Sequence, residues 1–522
     1  MELLAIITLI PTLLFFAASL LSGVLSNSKR KAVSVLTMFA AVVSVAISIA
    51  GGVYIFNHGS AEFSFFSFEN LGLSFRIDAL SMLFFGMIAL LAVIIVKYSI
   101  NYLDGDHRQG VFIGRIAATI ASVQLFVLSG NLLILFLAWV LTSLFLHRLL
   151  VFYRDRPRAI TAATKKFIVA RIADIFLLIS FMLLYNKVGS GSLTTIFEAI
   201  EQGTVNGAPL ILEIPAVFLV LAALFKSAQF PFHGWLVEVM ETPTPVSALL
   251  HAGVLNAGPF IIMRFAFVMN QTEIASSILL VMGGLTALFA SVVFMTQSSI
   301  KTALGYSSIA HMGFSLFICG TGAYSAAVLH IVAHSFYKAH AFLSSGSSVD
   351  LIRSKRIAIP ERLGNPLLII LGVLLTFGIY MGIAIVFGVD FNSNFSLLAV
   401  GLVIVMSLTL MMSAVLDSKR SLSTLLASGV LVAIVATAFF GFEKLFHTVL
   451  SGEFPTVSTL STNLMFVVGL MLLLFAIAVL LQLFAPLFSG GKNKSTLQVH
   501  LRNGFYINSY FDRLIGAYKT KN

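Results

Sequence analysis

The chain has 522 residues, of which 59% are hydrophobic and only 10% are charged. A soluble domain carries about 25% charged residues, so this composition excludes a soluble globular protein and favours membrane-spanning helices. The net charge of +11 is typical of basic loops between membrane spans, and we expect no nucleic-acid partner. A single cysteine, Cys319, excludes a disulfide within the chain and a cysteine-ligated metal site.

Long apolar stretches define the predicted elements. Runs of about 18 or more apolar residues can cross a bilayer, and they predict an all-α polytopic membrane protein with about 14–15 transmembrane helices. In chain order, the predicted spans are residues 2–25, 33–56, 79–100, 111–129, 131–153, 165–188, 213–238, 244–268, 274–295, 299–320, 324–345, 366–389, 395–416, 422–442 and 460–488. We predict one transmembrane domain over residues 1–490 and an amphipathic C-terminal tail over residues 491–522.

Basic residues are concentrated in the loops that follow odd-numbered spans. Clusters occur at 29–31, 154–166, 353–362 and 419–420, whereas the 189–212 loop contains two glutamates and no Lys or Arg. Basic loops remain on the cytoplasmic side of a membrane. We therefore predict a multi-pass protein with its N-terminus outside and its C-terminal tail in the cytoplasm.

The seventh span contains a lysine near mid-membrane. Ten apolar residues precede Lys226, and Pro231 five residues later must break or kink the helix. A broken helix exposes backbone carbonyls that can line a polar cavity, and a buried ionisable group is a functional candidate. The alternative is a lysine at a helix end whose ammonium reaches the membrane surface.

The eighth span is also irregular, because Pro243, Pro245 and Pro259 bracket His251. A histidine titrates near neutral pH and can relay a proton. A neutral histidine that is hydrogen-bonded within a packed bundle is the alternative. The predicted helix breaks lie near 226–231 and 251–259.

A third group of ionisable residues follows in HIVAHSFYKAH. His330, His334 and Lys338 have the spacing i, i+4, i+8, which places them on one face of one helix. A lysine on the same face disfavours a metal ion, so we interpret the stripe as part of a proton or cation path, with a metal site or plain packing as alternatives. We expect no metal site in this chain.

Three further residues are candidates for the same path. Lys301 lies near the end of the tenth span, where it could also reach the membrane surface, and His311 lies deeper in that span. Asp174 in the sixth span could pair with a buried cation, and Arg171 is its local alternative partner.

Three segments closely resemble the antiporter-like subunits of respiratory complex I, especially the large distal subunit, in a family that includes multisubunit Na⁺/H⁺ antiporters. They read FKSAQFPFHGWLVEVMETPTPVSALLHAG, IKTALGYSSIAHMGF with HIVAHSFYKAHAFLSSG, and AATKKFIVARIADIFLL. The resemblance implies an antiporter-like fold in which Lys226 is a central proton carrier. It further implies that His251 and the HxxxHxxxK stripe continue the path and that Asp174 matches a family carboxylate.

Two departures from that family are visible. The family has a W-E-G motif in the fifth span whose glutamate pairs with the broken-helix lysine; here Trp139 is kept and Val140 occupies the glutamate position. The family also has a lysine in a later proline-broken span, whereas the 366–389 span has no buried ionisable group. These departures indicate a side branch of the family.

The segments AWVLTSLFLHRLL and HAGVLNAGPF, with the chain length, resemble the DabB family, the membrane subunits of Dab-type inorganic carbon transporters. This resemblance implies a bacterial inner membrane and a heterocomplex with DabA, a cytoplasmic zinc protein related to β-carbonic anhydrases. It also implies that flow of H⁺ or Na⁺ through the membrane subunit is coupled to the hydration of CO₂ to bicarbonate. We expect no enzyme and no cofactor in this chain, with zinc on the partner.

The tail mixes aromatic and basic residues after the last span. Phe505, Tyr506, Tyr510 and Phe511 are candidates for docking the partner, and packing of an amphipathic helix against the membrane surface is the alternative. The predicted function is thus a cation-translocating subunit of an inorganic carbon accumulation complex. A subunit of a complex I-like or multisubunit Na⁺/H⁺ antiporter, and a passive membrane anchor for a peripheral protein, are the alternatives.

Overall fold

Continuous apolar sequence forms membrane-length helices. The computed structural model describes residues 2–24, 30–68, 71–153, 155–203, 210–346, 365–390, 394–418, 422–455, 460–484 and 493–514. Thirteen helices in these ranges are long and apolar enough to cross a membrane. The predicted all-α polytopic fold is confirmed.

The helices and strands are numbered in chain order. They are α1 (Glu2–Val24), α2 (Arg30–His58), β1 (Ala61–Phe68), β2 (Leu71–Ile77), α3 (Ala79–Tyr102), α4 (Gln109–Val127), α5 (Leu132–Leu150), α6 (Pro157–Val188), α7 (Leu193–Glu201), α8 (Leu210–Lys226), α9 (Gly234–Glu238), α10 (Thr244–Ala252), α11 (Ala257–Arg264), α12 (Ala266–Met269), α13 (Glu273–Phe294), α14 (Ile300–Gly320), α15 (Tyr324–Leu343), α16 (Pro366–Val386), α17 (Phe395–Leu416), α18 (Leu422–Val449), α19 (Thr462–Leu483), α20 (Asn493–Arg502) and α21 (Ile507–Leu514). Short 3₁₀ turns occupy Val239–Glu241, Val254–Asn256 and Gly504–Tyr506.

Both predicted helix breaks are present. α8 ends at Lys226 and helical structure resumes only at Gly234, and the second break separates Ala252 at the end of α10 from Ala257 at the start of α11. Pro231 lies in the first gap. Three other prolines begin helices: Pro243 precedes α10, Pro245 lies in its first turn and Pro259 lies in the first turn of α11. Proline favours these positions because the first helical N–H groups have no partner within the helix.

A β-hairpin between α2 and α3 is absent from the sequence prediction. β1 and β2 are antiparallel, with Phe63 opposite Phe75. The segment AEFSFFSF largely alternates polar and apolar residues, which is the pattern of a half-buried strand, and it is too short for a span-length search to detect. We call the end of the helix bundle that carries this hairpin the hairpin face.

The tail lies at the opposite end of the bundle, which we call the tail face. Arg502 at the end of α20 donates a hydrogen bond to Ser298 Oγ at 2.8 Å, immediately before α14 begins. Gln297 donates to the carbonyl oxygen of Arg502 at 3.0 Å. The tail therefore packs against the bundle itself.

The predicted sixth span begins too late. α6 starts at Pro157, so Lys165 and Lys166 lie well inside a helix and are buried, whereas the sequence analysis places them at the start of the span and counts them with the basic loop. Lysine is a good helix former, so a lysine does not by itself indicate a loop. The predicted 189–212 loop likewise contains α7. The basic loop residues at 29, 154, 353–362 and 419–420 lie outside the described residues.

Candidate functional site

The two broken helices cross at their breaks. Ser227 Oγ donates a hydrogen bond to the carbonyl oxygen of Leu255 at 3.0 Å, which joins the end of α8 to the 3₁₀ turn before α11. A Cβ atom on Gly258 would lie 2.1 Å from Ser227 Oγ and 2.7 Å from the carbonyl oxygen of Ala223. Only glycine permits this approach, so the sequence HAGVLNAG encodes the crossing.

Lys226 is held by Trp139 on α5. Its Nζ donates to the carbonyl oxygen of Trp139 at 3.0 Å and lies 4.0 Å from the centroid of the same indole ring. Both side chains are buried. A cation over an aromatic face is stabilised most when it is desolvated. Val140, at the family's glutamate position, contributes no carboxylate, and α5 contains no Asp or Glu.

Asp174 reaches Lys226 through the indole. Trp139 Nε1 donates to Asp174 Oδ1 at 2.8 Å, and Arg171 Nη2 lies 2.8 Å from the other carboxylate oxygen. The carboxylate on α6 thus binds the edge of the ring whose face binds the ammonium of Lys226. Asp174 therefore pairs with its local partner Arg171 and at the same time contacts the indole that holds Lys226.

Two buried lysines on α6 lie beside this group, and the sequence analysis missed both as site residues. Lys166 Nζ donates to the carbonyl oxygen and hydroxyl of Ser143 at 2.8 and 2.9 Å, one turn beyond Trp139 on α5. Lys165 Nζ donates to Glu238 at 2.6 Å and also forms an ion pair with Asp512 of the tail. The motif KK in an otherwise apolar helix is the signal that could have identified them.

His251 lies at the second break and is completely buried. Its ring stacks on Phe342 of α15, with centroids 4.4 Å apart, and neither ring nitrogen has a hydrogen-bond partner among the described residues. Asn256, in the adjacent 3₁₀ turn, donates to Ser335 Oγ on α15 at 2.8 Å. The second break is therefore attached to the helix that carries the predicted stripe.

Three histidines form a cluster between α14 and α15. The ring centroid of His311 lies 5.3 Å from that of His330 and 5.0 Å from that of His334. Both ring nitrogens of His334 lack a partner among the described residues. A cavity of about 530 Å³ between α13, α14, α17 and α19 reaches His311 and His330. The structure thus brings together three residues predicted from two separate spans.

The two remaining predicted cations differ in burial. Lys338, one turn beyond His334 on α15, is completely buried, and its Nζ donates to the carbonyl oxygen of Leu304 at 3.2 Å. Lys301 lies at the start of α14, where its Nζ donates to Thr244 Oγ1 at 3.2 Å, and it is partly exposed near the tail face. Lys338 therefore belongs with the buried histidine cluster, and Lys301 lies outside it near the tail face.

An ion-pair network closes the hairpin face of the bundle. Asp78 pairs with Arg264 at the end of α11 and accepts a hydrogen bond from Arg76 Nε at 2.6 Å. Burial alone would raise the pKa of Asp78, but the two guanidinium groups hold it well below its ordinary value. Glu453 accepts a hydrogen bond from the Ala79 N–H at 3.2 Å, and burial together with the charge of Asp78 raises its pKa to about 7.

A second cavity, of about 410 Å³, opens on the hairpin face beside α15 and α18. Tyr324 and Ser325 at the start of α15 line it together with Glu443 and His447 of α18. Glu443 is an ionisable group inside a membrane-length helix, which makes it a functional candidate. The sequence analysis missed it, although its place within an apolar stretch is a visible signal.

The tail aromatics do not all point the same way. Phe505, Tyr506 and Tyr510 are exposed, whereas Phe511 packs against Phe232 in the break after α8, with ring centroids 5.8 Å apart. No group of three or more His, Cys, Asp or Glu side chains that could hold a metal occurs in the described part of the chain.

Comparisons with known proteins agree with this architecture. Residues 129–419 match the transmembrane model of the NADH:quinone oxidoreductase/Mrp antiporter family, and residues 65–113 match the N-terminal model of complex I chain 5. A probable inorganic carbon transporter subunit DabB2 of Halothiobacillus neapolitanus is 36% identical over 454 residues, 85% of this chain and 80% of that protein. The chain belongs to the DabB family of inorganic carbon transporter subunits, a branch of the NADH:quinone oxidoreductase/Mrp antiporter family. The predicted resemblance is confirmed.

More distant relatives of this DabB-family chain include complex I subunits. NADH-quinone oxidoreductase subunit L of Escherichia coli is 32% identical over 281 residues, 54% of this chain and 46% of that protein. Among solved structures, a chain of the Mrp complex from Dietzia sp. has a TM-score of 0.59 at 22% identity, over 98% of this chain and 57% of that chain. A chain of an archaeal membrane-bound sulfane sulfur reductase has a TM-score of 0.59 at 16% identity, over 97% and 98%. These structures share the fold.

Proposed function

We propose that the chain is the cation-translocating membrane subunit, for H⁺ or Na⁺, of a complex that accumulates inorganic carbon as CO₂ or bicarbonate. The observation that carries the proposal is the buried Lys226 at a helix break, in a chain whose relatives are inorganic carbon transporter subunits. An ionisable group at this depth is costly and therefore functional by default. An ion gradient supplies about 2.3 kcal/mol per charge per 100 mV, which can drive accumulation.

The proposed ion path has two buried groups. The first contains Asp174, Lys226 and the indole of Trp139, and the second contains His251, Lys338 and the histidine cluster. The hydrogen bonds from Ser227 to Leu255 and from Asn256 to Ser335 connect the two groups along the crossed breaks. The unpartnered nitrogens of His251 and His334 can exchange protons with water that enters between the groups.

The proposed partner is a DabA-like cytoplasmic zinc protein related to β-carbonic anhydrases. Hydration of CO₂ belongs to that protein and its zinc, and this chain moves the ion that makes the step directional. The basic loops support a bacterial inner-membrane orientation with the hairpin face outside and the tail face in the cytoplasm. The antiporter-like relatives support a second candidate, a subunit of a complex I-like or multisubunit Na⁺/H⁺ antiporter.

Uptake of labelled inorganic carbon tests the proposal. Cells that lack carbonic anhydrase would express this chain with the zinc protein, each protein alone, or neither, with and without an uncoupler. We expect accumulation only when both proteins are present, and we expect the uncoupler to abolish it. No accumulation from an assembled pair would contradict the proposal and favour the antiporter. Normal uptake with Lys226→Ala would favour a passive anchor.

A further inference from the structure

The tail segment, residues 493–514, has two chemically different faces. An inward face consists of Asn508, Phe511 and Asp512, whose spacing of i, i+3 and i+4 places them on one side of α21. An outward face consists of exposed Phe505, Tyr506 and Tyr510 with Arg513. The inward face contacts the bundle and the outward face is exposed, and the short helix α21 contributes residues to both.

The inward face contacts residues that neighbour the first group of the ion path, by two routes. Asp512 is buried and pairs with Lys165, which is adjacent to Lys166 on α6. Asn508 Nδ2 donates a hydrogen bond to Glu238, the second carboxylate on Lys165. This route ends at Ser143, one turn from the indole that holds the path lysine.

The second route is aromatic. Phe511 meets Phe232 in the break after α8, and Phe232 stacks on Phe225 with ring centroids 4.5 Å apart. Phe225 is the residue immediately before Lys226. A displacement of α21 therefore acts on the turn from which the path lysine projects.

The outward face lies on the side of the tail that is turned away from the bundle. Arg502 binds Gln297 and Ser298 in the turn between α13 and α14, and Asn508 binds Glu238 at the end of α9, which leaves the outward side chains exposed. Phe505 and Tyr506 have positive φ angles of 53° and 62°, which are unfavourable for side chains of this size. Aromatic residues and arginine are enriched in protein interfaces, and strained backbone that presents them is typical of a functional surface.

The charge of the segment identifies the kind of partner. Among its described side chains, Arg502 and Arg513 are exposed and basic, and the single acid, Asp512, is buried against Lys165. The outward face is therefore basic and aromatic, and it complements an acidic protein surface.

We propose that the outward face binds a soluble subunit with an acidic surface and that the inward face transmits this binding to Lys226. The tail is then the coupling element between a cytoplasmic reaction and the ion path. This inference rests on the proposed function, because it requires a soluble partner and an ion flux.

A reversible cross-link tests transmission. A Cβ atom on Gly234 would lie 3.1 Å from the Cβ of Asn508, close to the separation of about 3.5–4.5 Å in a disulfide. Cys319, the only native cysteine, is buried, so the background is low. In Gly234→Cys/Asn508→Cys, we expect oxidation to abolish uptake with the soluble subunit still bound, and reductant to restore it. The single-cysteine variants serve as controls, and unchanged uptake in the fully cross-linked complex would overturn the proposal.

Substitutions separate the binding role of the outward face from the transmitting role of the inward face. The zinc protein, co-expressed with each variant, is the probe. Because hot-spot substitutions cost at least about tenfold in affinity, we expect Tyr510→Asp/Arg513→Glu to lower recovery of the soluble subunit by that factor. Asp512→Asn should preserve recovery but lower uptake, and Gln498→Ala, an exposed position on α20, should change neither. Wild-type recovery of the soluble subunit with Tyr510→Asp/Arg513→Glu would overturn the proposal. It would also be overturned if this variant lost a bound second copy of the chain, or bound lipid, and kept the soluble subunit.

Uptake by the wild-type pair distinguishes failure of the proposed function from failure of the tail's coupling role. If the wild-type pair assembles and accumulates no inorganic carbon, the proposed function fails. If the wild-type pair is active and the cross-linked and substituted tails behave as wild type, only the coupling role of the tail fails.

Discussion

The ammonium of Lys226 lies 4.0 Å from the centroid of the Trp139 ring and donates a hydrogen bond to the carbonyl oxygen of the same residue. The edge of that ring donates to Asp174. This chain lacks the fifth-span glutamate, and a carboxylate lies near its lysine with an indole between them. That carboxylate, Asp174, is on α6, and Trp139 connects the two charges.

Replacement of Trp139 by phenylalanine tests this connection. Phenylalanine keeps the aromatic face and the backbone carbonyl but removes the N–H that binds Asp174. A hydrogen bond to a charged group contributes about 1.5–3 kcal/mol, so we expect Trp139→Phe to lower uptake by about tenfold to a hundredfold. The measurement is labelled-carbon uptake normalised to the amount of assembled complex.

A rescue experiment distinguishes loss of charge from loss of packing at the same site. We expect Asp174→Asn to abolish uptake, and we expect addition of Val140→Glu, which restores a carboxylate on α5, to recover part of it. Failure of the rescue in a well-folded double variant would mean that Asp174 has another role.

The histidine cluster predicts a second loss of function. His334 contacts His311 and has no hydrogen-bond partner for either ring nitrogen among the described residues, so it is free to exchange a proton. We expect His334→Leu to abolish uptake without preventing complex assembly. His340→Leu on the same helix is the matched control, because His340 is exposed. Equal activity of the two variants would remove the cluster from the path.

The crossing of the broken helices predicts a loss of stability. A methyl group at position 258 would meet Ser227 Oγ and the carbonyl oxygen of Ala223. Overpacking typically costs about 1–3 kcal/mol, so Gly258→Ala should lower the melting temperature in detergent. Gly469→Ala in α19 is the control, because nothing lies within 4 Å of its added methyl group. A melting temperature for Gly258→Ala equal to that of the control would contradict the observed approach.

The hairpin face predicts a pH-dependent stability. The pKa of Glu453 is raised from 4.5 to about 7, so between these values the folded protein binds a proton that the unfolded chain releases. Stability must therefore fall as pH rises through this window, and we expect Glu453→Gln to reduce that fall. The lowered pKa of Asp78 acts at lower pH and does not contribute there.

The measurement for the hairpin face is the melting temperature of the detergent-solubilised protein between pH 5 and 8. Glu198→Gln, at an exposed position of α7 on the same face, is the control. A pH dependence that Glu453→Gln leaves unchanged would rule out this carboxyl as its source.

The sequence predicts the irregular helices well because proline and glycine report them directly. Pro231 and the proline-rich start of α10 indicate the breaks, and the i, i+4, i+8 spacing of His330, His334 and Lys338 indicates a common helix face. These signals are local, and the structure reproduces the local geometry they specify.

Contacts between helices are not visible in the same way. The binding of Asp174 to the edge of Trp139 depends on how α5 and α6 are rotated against each other, which no spacing within either helix reveals. The positive charge of Lys165 and Lys166 indicates a loop when the sequence is read alone, although a buried partner makes lysine tolerable inside a helix. The inward contact of Asp512 with Lys165 joins residues far apart in the chain.

Ion-driven uptake by the purified complex in sealed vesicles tests the proposed function without other cellular transport. Wild type, Lys226→Ala and Lys187→Ala would be compared under imposed H⁺ and Na⁺ gradients, with Lys187 as an exposed lysine in the last turn of α6. We predict that wild type and Lys187→Ala accumulate labelled inorganic carbon only under one of these gradients, and that Lys226→Ala assembles normally and accumulates none. Accumulation without a gradient, or wild-type accumulation by Lys226→Ala, would contradict ion-driven transport through Lys226.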